Sequence, residues 1–150
     1  MEDKELLITS KIVRLSNAGT AKRNKALLKF GLTATQVDAL RIIFLNPDIS
    51  ITELMKPLAL SQSVVSGIIS RLEKNGYIKK TASGTDGRKV TLHVTDEGMR
   101  RKSDIRKTEK EVQRLALAGM SNDEIDELCR LLDKIMNNIK SEKMNVGDEQ

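Results

Sequence analysis

The stretch "SITELMKPLALSQSVVSGIISRLEKNGYIKK", residues 50–80, leaves the chain little freedom in how it folds. Ser50 stands three residues before Glu53, the spacing at which a hydroxyl and a carboxylate satisfy the open amides of a first helical turn reciprocally. Pro57 has no amide hydrogen and cannot sit deep in a long helix, so the helix begun at Ser50 must be short. A break around Leu60 follows, with Ser61 as the N-cap of a second helix and Gly76 as its stop. Two short helices in close succession are therefore predicted over 51–59 and 61–75.

The second of these helices has two unlike faces. At 100° per residue, Val65, Ile68, Ile69 and Leu72 share one side, the side for a core. Ser63, Ser66, Gly67, Ser70 and Lys74 share the other, where a merely solvated face would carry Glu and Lys. Such short side chains suit a surface that another molecule approaches closely. Directly afterwards come two strand-like runs, Ile78 to Ala82 and Lys89 to Val94, joined by a turn containing Gly84, Asp86 and Gly87. In the second run Val90, Leu92 and Val94 are predicted to point inward, with Thr91 and His93 outward.

The flanks read as helices. Residues 4–30 place Leu7, Ile8, Ile12, Leu15, Ala18, Leu27, Leu28 and Phe30 at helical spacing, and Gly19 with Thr20 predicts a bend or break. Thr33 and Gln36 repeat the capping spacing for a helix that ends before Pro47. Thr95 caps a long charged helix to about Ala118, Gly119 interrupts, and Ser121 with Glu124 opens the last helix. That helix carries Ile125, Leu128, Leu132, Ile135 and Ile139 on one stripe, with too little chain nearby for one lobe to bury them. A homodimer is the expected remedy. The polar tail from Ser141 is predicted to fray.

This order gives a mainly α fold with a small β-hairpin wing: a winged helix-turn-helix lobe over 32–98, a helical dimerisation region from 1–31 and 99–143, and a flexible tail at 144–150. A recognition helix enters the major groove of double-stranded DNA with residues near its N-terminus on base edges. Ser61, Gln62, Ser63, Ser66, Gly67 and Ser70 hold that position here, with Lys74 further along. Arg71 either joins them or bridges to the wing or to an acid. The helix N-terminus itself suits a phosphate. An arginine at the hairpin tip, Arg88, would reach the adjacent minor groove, with Asp86 fixing its orientation and Lys89 beside it. Charge agrees: the net charge is +5, and residues 79–102 hold seven basic residues against three acidic ones.

Composition removes several other classes. Aromatic residues are 2% of the chain, which disfavours readers of single strands that stack bases on aromatic platforms. Cys129 is alone, so no intrachain disulfide forms. The acidic start lacks a signal-like apolar region and no apolar run could span a bilayer, so a cytoplasmic protein is expected. One His and one Cys, far apart in sequence, give neither a metal cluster nor a nucleophile with its base, so no enzyme, metal or cofactor is expected. His93 reads as surface, Cys129 as a core or dimer-interface thiol, and the methionines as packing. The rival reading is a winged helix serving as a protein-interaction or assembly module, although the outer helix face lacks the large anchors such interfaces use.

The motif around the wing is specific. Asp86-Gly87-Arg88, then Val94-Thr95-Asp96-Glu97-Gly98, resembles in register the wing pattern of the MarR family of transcriptional regulators, with Val where Leu is usual. "LTATQVDAL", "ITEL" and "LSQSVVSGIISRLEKNGYI" also fit that family's pattern. The resemblance implies a dimer in which the N-terminal helix, through Leu7, Ile8 and Ile12, interlocks with the last two helices. It also implies a palindromic operator and Arg88 as the minor-groove arginine; the function expected is a sequence-specific repressor open to a small-molecule effector, whose existence and identity the sequence does not give. Oxidant-sensing members carry an N-terminal cysteine among tyrosines, unlike Cys129.

Overall fold

A computed structural model describes residues 3–83 and 89–145. The chain divides into two compact units, Met1–Val112 and Gln113–Gln150.

In the first unit, helix α1 (Lys4–Leu27) is helical throughout, so the break expected at Gly19 does not occur. One glycine costs a helix only about 1 kcal/mol, which a run of this length absorbs. A 3-10 turn, Leu28–Phe30, closes on Gly31, whose φ of 67° is the left-handed conformation glycine takes without strain. Helix α2 (Ala34–Leu45) starts at the predicted Thr33–Gln36 capping box. Helix α3 (Ile51–Leu58) starts at the Ser50–Glu53 box and holds Pro57 in its last turn, ending on Ala59 at φ 53°. Helix α4 (Gln62–Lys74) follows and stops at Asn75 and Gly76, the latter at φ 77°.

Strands β2 (Ile78–Ser83) and β3 (Lys89–Val94) form the expected hairpin, but the sheet has a third member. The two-residue strand β1 (Ile49–Ser50) pairs antiparallel with β3, Ile49 opposite Leu92 and Ser50 opposite Thr91, giving the order β1-β3-β2. β3 is thus the central strand, and this corrects the reading of Thr91 as outward. Thr91 is buried, and its hydroxyl donates to the carbonyl of Thr81. His93 is half-buried rather than surface filler, with Nε2 3.0 Å from Thr91 Oγ1 and 3.4 Å from Asp48 Oδ1.

The core of this unit joins Leu40 and Ile43 of α2, Leu54 of α3, Val65, Ile69 and Leu72 of α4, Ile78 of β2 and Leu92 of β3. Helix α5 (Asp96–Ala116) adds Ile105. Arg23 of α1 fastens the outside: its guanidinium donates two bonds to Asp38 of α2, at 2.8 and 3.2 Å, and others to Glu109 of α5. Both carboxylates hold the arginine's proton more tightly than usual, Asp38 most strongly.

The second unit contains helix α6 (Asn122–Asn145), which opens on the predicted Ser121–Glu124 box and continues past Ser141, where fraying was expected. Leu128, Leu132 and Ile139 are exposed in the single chain, with Ile125 and Ile135 half-buried. Cys129 is exposed, so it is no core thiol. On α1, Ile8 and Ile12 are likewise exposed and Leu7 is half-buried.

Candidate nucleic-acid interface

The face of α4 opposite its core residues is open. Val65, Ile68, Ile69 and Leu72 are buried as predicted, whereas Ser61, Gln62, Ser63, Ser66, Gly67, Ser70, Arg71 and Lys74 are all exposed. Among the described residues the only side-chain hydrogen bond made by these residues is Ser61 Oγ to Ser63 Oγ, at 3.2 Å. Ser61 occupies the N-cap position, but its hydroxyl caps no amide, unlike Thr33 and Ser50. The first-turn N–H groups of α4 thus point outward with no side-chain acceptor, a partial positive charge suited to an anion. A Cβ built on Gly67 would meet nothing within 4 Å, so glycine keeps this part of the face low without packing requiring it.

Behind that face the lobe is braced. Glu73 of α4 and Lys80 of β2 form an ion pair at 2.9 Å, which ties the recognition helix to the wing and holds the Glu73 carboxyl below its usual pKa. The bridge to the wing that Arg71 could have supplied is therefore made by Glu73. Arg71 lines a crevice with the α1–α2 turn and the start of α5. Asp86, Arg88, Gly84 and Gly87 lie outside the described residues, and nothing is placed for the side chain of Lys89.

The Val94–Gly98 run after the wing has a direct steric reason. Thr95 caps α5: its hydroxyl accepts from the Gly98 amide at 3.1 Å and donates to the carbonyl of Gly76. The Thr95 amide donates to the Tyr77 carbonyl at 3.0 Å. Gly98 is pressed so tightly on this turn that a Cβ would lie 2.4 Å from the Tyr77 carbonyl oxygen and 2.6 Å from Val94 Cγ1. A Val-Thr-x-x-Gly sequence thereby locks the end of α4, the end of β3 and the start of α5 together.

Comparison with known proteins agrees with this geometry. The profile of the MarR family matches residues 32–90, which span the lobe from α2 into β3. The HTH-type transcriptional regulator MgrA of Staphylococcus aureus is 30% identical over 113 residues, 75% of this chain and 76% of that protein. The chain belongs to the MarR family. This MarR-family chain is a transcriptional regulator of a DNA-binding, winged-helix class, and the family is not one of enzymes. Solved structures share its fold: a MarR protein from Peptoclostridium difficile superposes with a TM-score of 0.82 at 23% identity, covering 97% of this chain and 94% of that one. BpsR of Bordetella bronchiseptica, whose DNA binding is regulated by 6-hydroxynicotinic acid, gives 0.77 at 21% identity, covering 87% and 98%. Among the described residues no helix is long and apolar enough to cross a membrane, and no group of three or more His, Cys, Asp or Glu could hold a metal ion.

Proposed function

We propose that this MarR-family regulator is a repressor that binds a palindromic operator as a homodimer and releases it in response to a small molecule. The observation that carries the reading is the open face of α4: exposed hydroxyl, amide and lysine groups whose one mutual bond is Ser61 to Ser63, at a helix N-terminus left uncapped by a side chain. Short donors and acceptors of this kind match base edges in the major groove, and the free amides match a phosphate. Ser61, Gln62, Ser63, Ser66, Gly67 and Ser70 form the reading surface and Lys74 neutralises backbone charge. Arg88 on the wing tip enters the minor groove with Asp86 as its tether, and Lys89 contacts phosphate.

The exposed apolar stripes favour the dimer. Leu128, Leu132 and Ile139 of α6 and Ile8 and Ile12 of α1 are left in water by the single chain, a costly arrangement that a second copy removes. Residues 1–31 and 99–143 would thus pair the protomers and hold two lobes at a fixed separation. An effector acts by binding one separation of the recognition helices better than another, because both half-sites must be met together. Regulation of the DNA binding of BpsR by 6-hydroxynicotinic acid supports control by a small molecule.

Footprinting on the DNA upstream of the protein's own gene tests the proposal. The expected result is protection of an inverted repeat, with two protomers per site. Uniform binding to all sequences, or one protomer per protected site, would overturn it.

A further inference from the structure

We infer that Val64 is a specificity-determining residue, whose methyl groups contact the C5-methyl of a thymine in the major groove. The inference rests on the DNA-reading role proposed above for α4 and adds to that surface a residue of different chemistry. Val64 is the third residue of α4 and 47% exposed, whereas its neighbour Val65 is fully buried. Among the exposed residues of α4 it alone has an apolar side chain; the others are serines, a glycine, and residues that are charged or carry an amide.

The core of the lobe does not account for it. Val64 belongs neither to the buried cluster nor to the partly buried residues packed against that cluster. Valine is also a poor choice for an exposed helical position, since its β-branch restricts χ1 and lowers helix propensity. The same restriction holds its two methyl groups in one place, so little side-chain freedom is lost on contact. Its surroundings leave them accessible. At the next positions along the helix surface stand Gly67, with no side chain, and Ile68, which is buried. A Cβ at Gly67 would meet nothing within 4 Å, so the space beside Val64 is open to a group from outside.

The base it selects follows from hydrogen bonding. In the major groove adenine, guanine and cytosine offer donors and acceptors, and thymine alone adds a methyl group. A valine against a polar edge removes water from that edge and returns no hydrogen bond, which is unfavourable. Against the thymine methyl it buries apolar surface on both partners. Val64 therefore favours thymine and penalises the other bases at the same position, the two halves of discrimination. Its place in the first helical turn is where a recognition helix meets base edges.

A duplex selected from a random pool by the wild-type chain carries the test. Each thymine in turn would be replaced by deoxyuridine, which keeps every hydrogen-bonding group and loses only the methyl. Affinity would be read by fluorescence anisotropy at fixed salt. The expected result is a loss of about fourfold at one thymine per bound protomer, which is what one buried carbon contributes. Val64→Ala removes the contacting methyls from an exposed position and favours the helix. It should bind thymine and uracil at that position equally, and bind a scrambled duplex as wild type does. If uracil costs more than about twofold at no thymine, the inference is overturned, as it is by a loss that persists unchanged in Val64→Ala. Failure of the wild-type chain to enrich any duplex would sink the operator reading and this inference together. Enrichment with indifference to thymine methyls sinks this inference alone.

Discussion

Replacing Gly98 by alanine tests how the wing is anchored. The added methyl group would sit 2.4 Å from the Tyr77 carbonyl oxygen and 2.6 Å from Val94 Cγ1, where carbon needs more than 3 Å. The obstacle is backbone, which cannot rotate away, so the start of α5 must move off the Gly76–Tyr77 turn. Overpacking of this kind costs about 1–3 kcal/mol. The same movement stretches the hydrogen bond from the Thr95 amide to Tyr77, worth about 1 kcal/mol more. The expected loss is about 2–4 kcal/mol, a fall in Tm of about 5–15 °C for a chain of this length. Gly67→Ala is the control, since its Cβ meets nothing within 4 Å and alanine in a helix is favoured by up to about 1 kcal/mol. Urea unfolding followed by circular dichroism, at one fixed protein concentration, reads both variants. A Gly98→Ala protein within about 0.5 kcal/mol of wild type would refute the packing argument, because an ordinary surface substitution does as much.

Arg88→Ala should weaken operator binding by about 1–3 kcal/mol, most at A·T-rich flanks, and leave thermal unfolding unchanged. Fluorescence anisotropy checks this, and unaltered affinity would mean the wing arginine is idle. Arg23→Ala should destabilise the fold by about 2–4 kcal/mol in urea, because Glu109, only 12% exposed at its side chain, loses its guanidinium partner. Adding Glu109→Gln should recover part of that loss, and no recovery would show that the buried charge is not the cause. Leu132→Glu should convert dimers to monomers or aggregates in sedimentation velocity, whereas a wild type that sediments as a monomer would end the dimer proposal.

The parts of this structure that were legible in the sequence are those set by neighbours in the chain. The capping boxes at Thr33, Ser50 and Ser121 each place two partners three residues apart, and the buried stripe of α4 repeats at helical spacing. The third strand was not legible, because two residues carry no alternation to read, and with it went the burial of Thr91. Long-range charge pairs were equally hidden. Arg23 meets Glu109 across 86 residues, and nothing local distinguishes either from a solvated side chain. Glu73 could have been suspected as the brace, since Lys80 follows it closely on the wing, but Arg71 was an equal choice until the helix was packed. For the outer face of α4, proposed here as the DNA-reading surface, sequence and structure agree on which residues are exposed, and the proposal for the wing tip rests on the motif alone.

If one face of α4 and a cationic wing grip duplex DNA in each of two protomers, binding must depend steeply on salt. A duplex carrying an inverted repeat, selected from a random pool, would be titrated with protein across a series of salt concentrations. Binding to the repeat should be tighter than to its scrambled form, with log affinity falling linearly in log salt at a slope of magnitude about 5 or more. Absence of duplex binding at every ionic strength would contradict that grip.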